Sequence, residues 1–198
     1  MKNNQSGRSM VEMLGVLAII GVLSAGGLAG YSKAMFKHKL NSTMDQLTML
    51  VTNIRTMYGT QENYNNLSIG QAYDLGIISN SSMPGGQSGS VMVNPFKGNV
   101  VLAPSDAKAG VTNSGFTITY TGLPKEACIA LATADWGTGA GSGFITTCAG
   151  ETTGSTCKSG TTVAQAYSGT SYEGKAFQVS EAINVCNNDT NTVVIKFY

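Results

Sequence analysis

The chain has 198 residues, a formal charge of +1 and only 12% charged residues, enough length for one ordinary domain with an appendage and for a real core. From Gly59 onward six Lys stand against nine Asp or Glu, so the bulk of the chain is mildly acidic and lacks the basic footprint of a nucleic-acid binder. With 25 Gly and abundant Ser, Thr and Asn, the composition fits a loop-rich, strand-rich secreted module better than a cytosolic enzyme.

Near the N-terminus, Met13 to Ser32 are twenty residues without a charge. At about 1.5 Å per residue they match a hydrocarbon core of about 30 Å, so the run suits one transmembrane helix. Three uses of that helix compete. It could be a cleaved secretory signal, with Lys2 and Arg8 ahead of the apolar core and Ser24, Ala25 and Gly26 as a small-residue cleavage site. It could be an uncleaved anchor, or a helix put to work after insertion. Glu12 stands at its start, where a charge in lipid costs about 2.5–3.5 kcal/mol. Arg8, four residues earlier, can pair with it along one helix face, in the less favourable order and for only about 0.3–0.5 kcal/mol. Hydration of the carboxylate at headgroup level is the other local answer.

Helical patterning continues beyond the apolar run. Phe36, Leu40, Met44, Leu47, Val51, Ile54 and Tyr58 recur at intervals of three and four, one apolar stripe on a helix, and no Pro interrupts residues 8–58. The pattern predicts one helix over 8–58, about 75 Å long, apolar all round in its first half and amphipathic in its second, ended by Gly59. Ser68 and Gln71, at capping-box spacing, predict a short helix over 69–75, and 79–90 reads as loop. Strands are predicted at 91–93, 100–102, 115–122, 143–147 and 192–198. In "FTITYT" Phe116, Ile118 and Tyr120 alternate with Thr, the pattern of a half-buried strand in an antiparallel sheet. Pro124 in a first turn, with Glu126 just inside, predicts a helix over 124–133. Ser180 is expected to cap another in "VSEAINVCNN". The fold class is α+β: a long N-terminal helix packed on an antiparallel sheet, with short helices and disulfides.

The four cysteines, Cys128, Cys148, Cys157 and Cys186, form an even set without a Cys-x-x-Cys pair, which suits two disulfides in an oxidising compartment better than a zinc site. Three pairings are open. The favoured one joins Cys148 to Cys157 across a short Gly/Thr-rich loop, and Cys128 to Cys186, one on each late helix. Buried reduced cysteines are the alternative. No catalytic, cofactor-binding or metal-binding set emerges. The lone histidine, His38, sits in a basic "KHK" collar, and "GTGAGSG" at 137–143 lacks the Lys of a phosphate loop. The chain is therefore not read as an enzyme.

Gly7 followed by "RSMVEML", with Glu12 in the fifth place after that Gly, then an apolar run and a long helix, resemble the prepilin N-terminus of type IV pilins. "VNPFKGNVVLAPSDA", "GFTITYTGLPKEACIALAT" and "VSEAINVCNN" are similar to the corresponding parts of type IVb pilins. The resemblance implies a leader, 1–7, removed by a prepilin peptidase between Gly7 and Arg8, with N-methylation of Arg8. It implies a helix over 8–58 whose residues 13–32 cross the membrane before assembly, and a head over 59–198 with a Cys-bounded region over 128–186. It also supports the Cys128–Cys186 pairing, and it implies that Glu12 pairs with the N-terminus of a neighbouring subunit. The implied partners are copies of the chain itself, the peptidase, the inner-membrane assembly machinery and, before assembly, the membrane. No nucleic acid and no cofactor is implied. The precursor would lie in the bacterial inner membrane and the product in an extracellular filament. Arg8 stands where the family usually has Met, Leu or Phe, and the leader is short for a type IVb pilin. A pseudopilin of a type II secretion system, or a secreted or membrane-anchored binding protein with an ordinary signal or anchor, are the competing readings. Lys33, Lys37 and Lys39 beyond the apolar run leave the positive-inside count undecided; the cysteines argue for the C-terminal domain outside.

Overall fold

The computed structural model of the chain describes residues 10–83, 91–108, 110–137, 142–150, 162–165 and 178–198. The chain divides into two compact units, Met1–Asn41 and Ser42–Tyr198, and helix α1 (Met10–Tyr58) contributes to both. In the first unit α1 is apolar around its circumference and exposed; no residue of its most apolar stretch is buried.

In the second unit α1 buries Thr43, Leu47, Leu50, Ile54 and Tyr58. This stripe lies slightly to one side of the expected one: Met44 and Val51 are half-buried flanks, while Leu50 and Thr43 are covered. Two adjacent stripes at helical spacing share Leu47, Ile54 and Tyr58, and counting Thr as polar concealed which one faces inward. Helix α2 (Ile69–Asp74) begins as predicted, with Ser68 Oγ accepting from the Gln71 backbone N–H at 3.2 Å. The Gln71 side chain serves α1 instead: its Oε1 accepts from the Tyr58 hydroxyl at 3.1 Å. The predicted loop after α2 holds one 3-10 turn, Asn80–Ser82, and its residues 84–90 lie outside the described residues.

The strands β1 (Met92–Val93), β2 (Asn99–Ser105), β3 (Gly115–Leu123), β4 (Phe144–Gly150), β5 (Thr162–Gln165) and β6 (Asn191–Phe197) form one sheet in the order β1-β2-β3-β6-β4-β5. Every pairing in it is antiparallel. Of these strands, β5 has no counterpart in the expectations, its four residues being too short a run to stand out from Gly/Ser/Thr-rich surroundings. The expectation of a half-buried strand at "FTITYT" is corrected: Thr117 and Thr119 are as buried as Phe116, Ile118 and Tyr120. The reason is position, since β3 lies inside the sheet between β2 and β6 and is covered on both faces.

Register sets the core face. Phe116 pairs with Phe197, Ile118 with Ile195 and Tyr120 with Val193, and residues directly opposite share a face. The end of α1 meets that face through a run of rings, Tyr58 to Tyr64 at 5.3 Å, Tyr64 to Phe116 at 4.9 Å and Phe116 to Phe197 at 5.7 Å. Two polar ties flank it, Gln46 Nε2 to the Val93 carbonyl at 3.3 Å and Arg55 Nη1 to the Ser142 carbonyl at 2.7 Å.

Helices α3 (Lys125–Thr133) and α4 (Val179–Val185) pack on each other, and both contact β4. Pro124 is the N-cap of α3, one place outside the predicted first turn. Ser180 lies inside α4; the cap position is Gln178, whose extended backbone precedes the first turn and whose side chain makes no capping bond. A disulfide joins Cys128 in α3 to Cys186 at the end of α4, with both residues fully buried and their Cα atoms 5.9 Å apart. Cys148 in β4 is also disulfide-bonded. The expected bridge to Cys157 falls on a residue outside the described ones.

The turn at "NPFKG" between β1 and β2 is built on one side chain. Asn94, 3% exposed, accepts at Oδ1 from the Phe96 and Gly98 N–H groups, at 2.9 and 3.1 Å. It donates from Nδ2 to the Thr121 carbonyl of β3 at 2.9 Å. Gly98 allows the close approach: a Cβ there would lie 1.7 Å from the Thr121 carbonyl oxygen.

Candidate assembly interface

Glu12 lies in the first turn of the described part of α1. It is exposed, and it has no hydrogen-bond or ion-pair partner among the described residues. Gly7 and Arg8 lie outside them.

Beyond Glu12 the helix presents a surface that water does not tolerate. Leu14, Leu17, Ile19 and Leu23 are each more than 60% exposed, and the mean hydropathy of the stretch reaches 2.1. A continuous apolar patch of this kind marks a surface awaiting lipid or partner protein. Its relief is uneven. Ala18, Ile19, Val22 and Leu23 line a shallow apolar groove, and the positions where Cβ atoms would sit at Gly15, Gly21, Gly26, Gly27 and Gly30 have nothing within 4 Å. Small residues of this kind let another helix approach closely in an apolar medium. Toward the head, Lys33, Lys37 and His38 form an exposed basic collar, with Lys39 half-buried beside them.

Among the described residues no group of His, Cys, Asp and Glu could hold a metal, and His38, the only histidine, is exposed on α1. Sequence reasoning passed over Arg55, a half-buried cation in the last turn of α1; its only signal was a charge beside an apolar stripe.

Comparison with known proteins gives a consistent picture. The family described as "PilS N terminal" matches residues 37–197. The major structural subunit of bundle-forming pilus from Escherichia coli O127:H6 is 26% identical over 200 residues, covering 100% of this chain and 95% of that one. The same-named subunit from Escherichia coli O111:H- is 27% identical over 142 residues, 70% of this chain and 69% of that one. Among solved structures, a type IVb pilin from Salmonella typhi superposes with a TM-score of 0.51 at 22% identity, covering 78% of this chain and 97% of its own. TcpA, a type IV pilin from the Vibrio cholerae El Tor biotype, gives 0.52 at 17% identity, with 81% and 99% covered. At these identities the structural likeness is one of fold.

Proposed function

The chain belongs to the PilS N-terminal family and has the α+β fold of a type IVb pilin, and from that premise we propose that it is a structural subunit of a type IVb pilus. Residues 1–7 form a leader that a prepilin peptidase removes, Arg8 becomes the methylated N-terminus, and residues 13–32 hold the precursor in the inner membrane with the head, 59–198, outside. The inner-membrane assembly machinery then stacks the subunits into an extracellular filament whose core is made of the apolar helices. There Glu12 pairs with the N-terminal amine of a neighbouring subunit. Non-enzymatic function is part of the same proposal.

The observation that supports it best is Glu12 itself, a carboxylate without a partner among the described residues at the head of an exposed apolar helix. Lipid accommodates the apolar run but penalises the charge by about 2.5–3.5 kcal/mol. A neighbour's amine at the same depth accommodates both. In Glu12→Gln cells the chain is expected to reach the membrane in normal amount while surface filaments disappear. Normal filaments from that variant would refute the pairing. N-terminal sequencing of the exported chain tests the processing separately: it should begin at Arg8, and a start near Gly26 would mean an ordinary signal peptide.

A further inference from the structure

The apolar run of α1 ends abruptly. Its last residue, Ser32, donates its hydroxyl to the Leu28 carbonyl at 3.0 Å, so that group is satisfied within the helix. Lys33, Lys37 and His38 follow, all exposed and none with a hydrogen bond or ion pair among the described residues. Lys39 beside them is half-buried and engaged within the chain. No Asp or Glu stands between Glu12 and Asp45, so this stretch of helix supplies the cations with no counter-charge.

Spacing indicates what would supply one. The twenty uncharged residues from Met13 to Ser32 span about 30 Å, the thickness of a hydrocarbon core. A headgroup layer adds about 5–8 Å on each side, and Lys33 to His38 rise about 7.5 Å along the axis. With 13–32 as the membrane span, the collar therefore fills the depth of one headgroup layer. Lys33 and Lys37, four positions apart, lie on one helix face with Cβ atoms about 5–6 Å from each other. Helical side chains tilt toward the N-terminus, here toward the bilayer, so Lys37 reaches back to the level at which Lys33 snorkels outward. Tyr31, 65% exposed, stands two places before Lys33, where an aromatic ring with a polar tip suits the same interface.

We propose that Lys33 and Lys37 grip the phosphodiester of an anionic phospholipid of the phosphatidylglycerol class, with His38 as a further donor, on the side of the membrane where the head emerges. The proposal rests on the reading of 13–32 as a membrane span. It also accounts for lysines in a place where the positive-inside count works against them, because a bound anionic lipid neutralises them there.

The test is an NMR titration of the full-length isotopically labelled chain in nonionic micelles, with short-chain phosphatidylglycerol, short-chain phosphatidylcholine and inorganic phosphate as probes. Phosphatidylglycerol is expected to give saturable amide shifts over residues 31–38, about fivefold tighter than phosphatidylcholine for each lysine engaged, with inorganic phosphate weaker than either lipid. Lys33→Gln and Lys37→Gln are each expected to weaken phosphatidylglycerol about fivefold and to leave phosphatidylcholine unchanged. Lys97→Gln, at an exposed lysine of the head, is expected to change neither. A soluble gadolinium chelate tests the span separately, since it should spare the amides of 13–32 and broaden those of the head surface. Broadening throughout 13–32 would refute the span and the lipid site together. A shielded span with equal titrations by the two lipids, or a phosphatidylglycerol preference unmoved by both Gln changes, would overturn the lipid site alone. Inorganic phosphate saturating the same residues as tightly as the lipid would overturn it too, assigning the collar to a free anion.

Discussion

Replacing both ends of the Cys128–Cys186 bridge with Ala isolates one covalent constraint on the head. The bridge spans 58 positions, and the chain-entropy relation for a loop of that size gives about 4 kcal/mol at 25 °C. Against a total stability of about 5–15 kcal/mol, that is a large share. Removing two fully buried sulfurs adds a small cavity cost. The bridge at Cys148 is untouched by the substitution, whereas a reductant would break both. Urea unfolding can be followed by Trp136, the only tryptophan, whose Nε1 donates to the Leu131 carbonyl of α3 at 3.1 Å and so reports on the helix that carries Cys128. With a slope of about 2 kcal/mol per molar urea, the midpoint is expected to fall by about 2 M in Cys128→Ala/Cys186→Ala. A fall of less than about 0.5 M at unchanged slope would refute the entropic reasoning, because it would mean that α3 and α4 are held together as firmly without the bond.

Three further outcomes are expected of the head. Asn94→Ala removes three part-buried hydrogen bonds, two from the Phe96 and Gly98 N–H groups and one to the Thr121 carbonyl; at about 1 kcal/mol per bond, a loss of about 3 kcal/mol is expected in the same unfolding assay. Tyr120 is fully buried, and its hydroxyl has no hydrogen-bond partner among the described residues, so Tyr120→Phe is expected to be neutral or stabilising by up to about 1 kcal/mol, and a clear destabilisation in the same unfolding assay would contradict that. Burial raises the phenol pKa of Tyr120 far above its usual value near 10, and raises those of Tyr58 and Tyr64 too, with Arg55 partly offsetting the effect at Tyr64. The unfolded chain then gives up these protons first, so stability is intact below pH 10 and is lost as pH rises through the folded values. Lys196, pushed below its usual 10.5 by burial, acts in the opposite sense, gaining stability as pH rises through its folded value. Urea midpoints are expected to fall from pH 9 to pH 11, and to fall less in Tyr120→Phe.

The elements that could be read from the sequence are those with strong local determinants. The end of α1 was marked by Gly59, the start of α2 by Ser68, and the long strands by β-branched and aromatic runs. What escaped was decided by tertiary position. Thr117 and Thr119 read as the wet side of a strand, and only the place of β3 inside the sheet makes them core. Gln71 read as half of a capping box, but Tyr58, thirteen residues earlier, takes its side-chain oxygen. Arg55 and Lys108 line one cleft although two strands and two helical segments separate them in sequence, a juxtaposition that no spacing rule reports.

The two parts of α1 present different surfaces, and this bears on how register would be chosen in the proposed assembly. From Thr43 to Tyr58 the helix has one buried stripe, matched to one sheet face, so its partner is specific. Along the apolar run no side is preferred, and side chains such as Leu14, Val16 and Ile20 can pack on similar helices in many rotations and shifts. Apolar contact is non-directional, so it cannot by itself select one of them. Under the proposed pairing a single charge can, because in a low-dielectric interior an unpaired carboxylate costs several kcal/mol and only one stagger would bring it to a neighbour's N-terminal amine. Charge and reach should therefore be separable. Glu12→Asp keeps the charge on an arm one methylene shorter and is expected to give filaments at reduced yield, while Glu12→Gln, which keeps the length and can still hydrogen-bond, is expected to give none. If electron microscopy of sheared surface material finds as many filaments from the Gln variant as from the Asp variant, charge is not what sets the register.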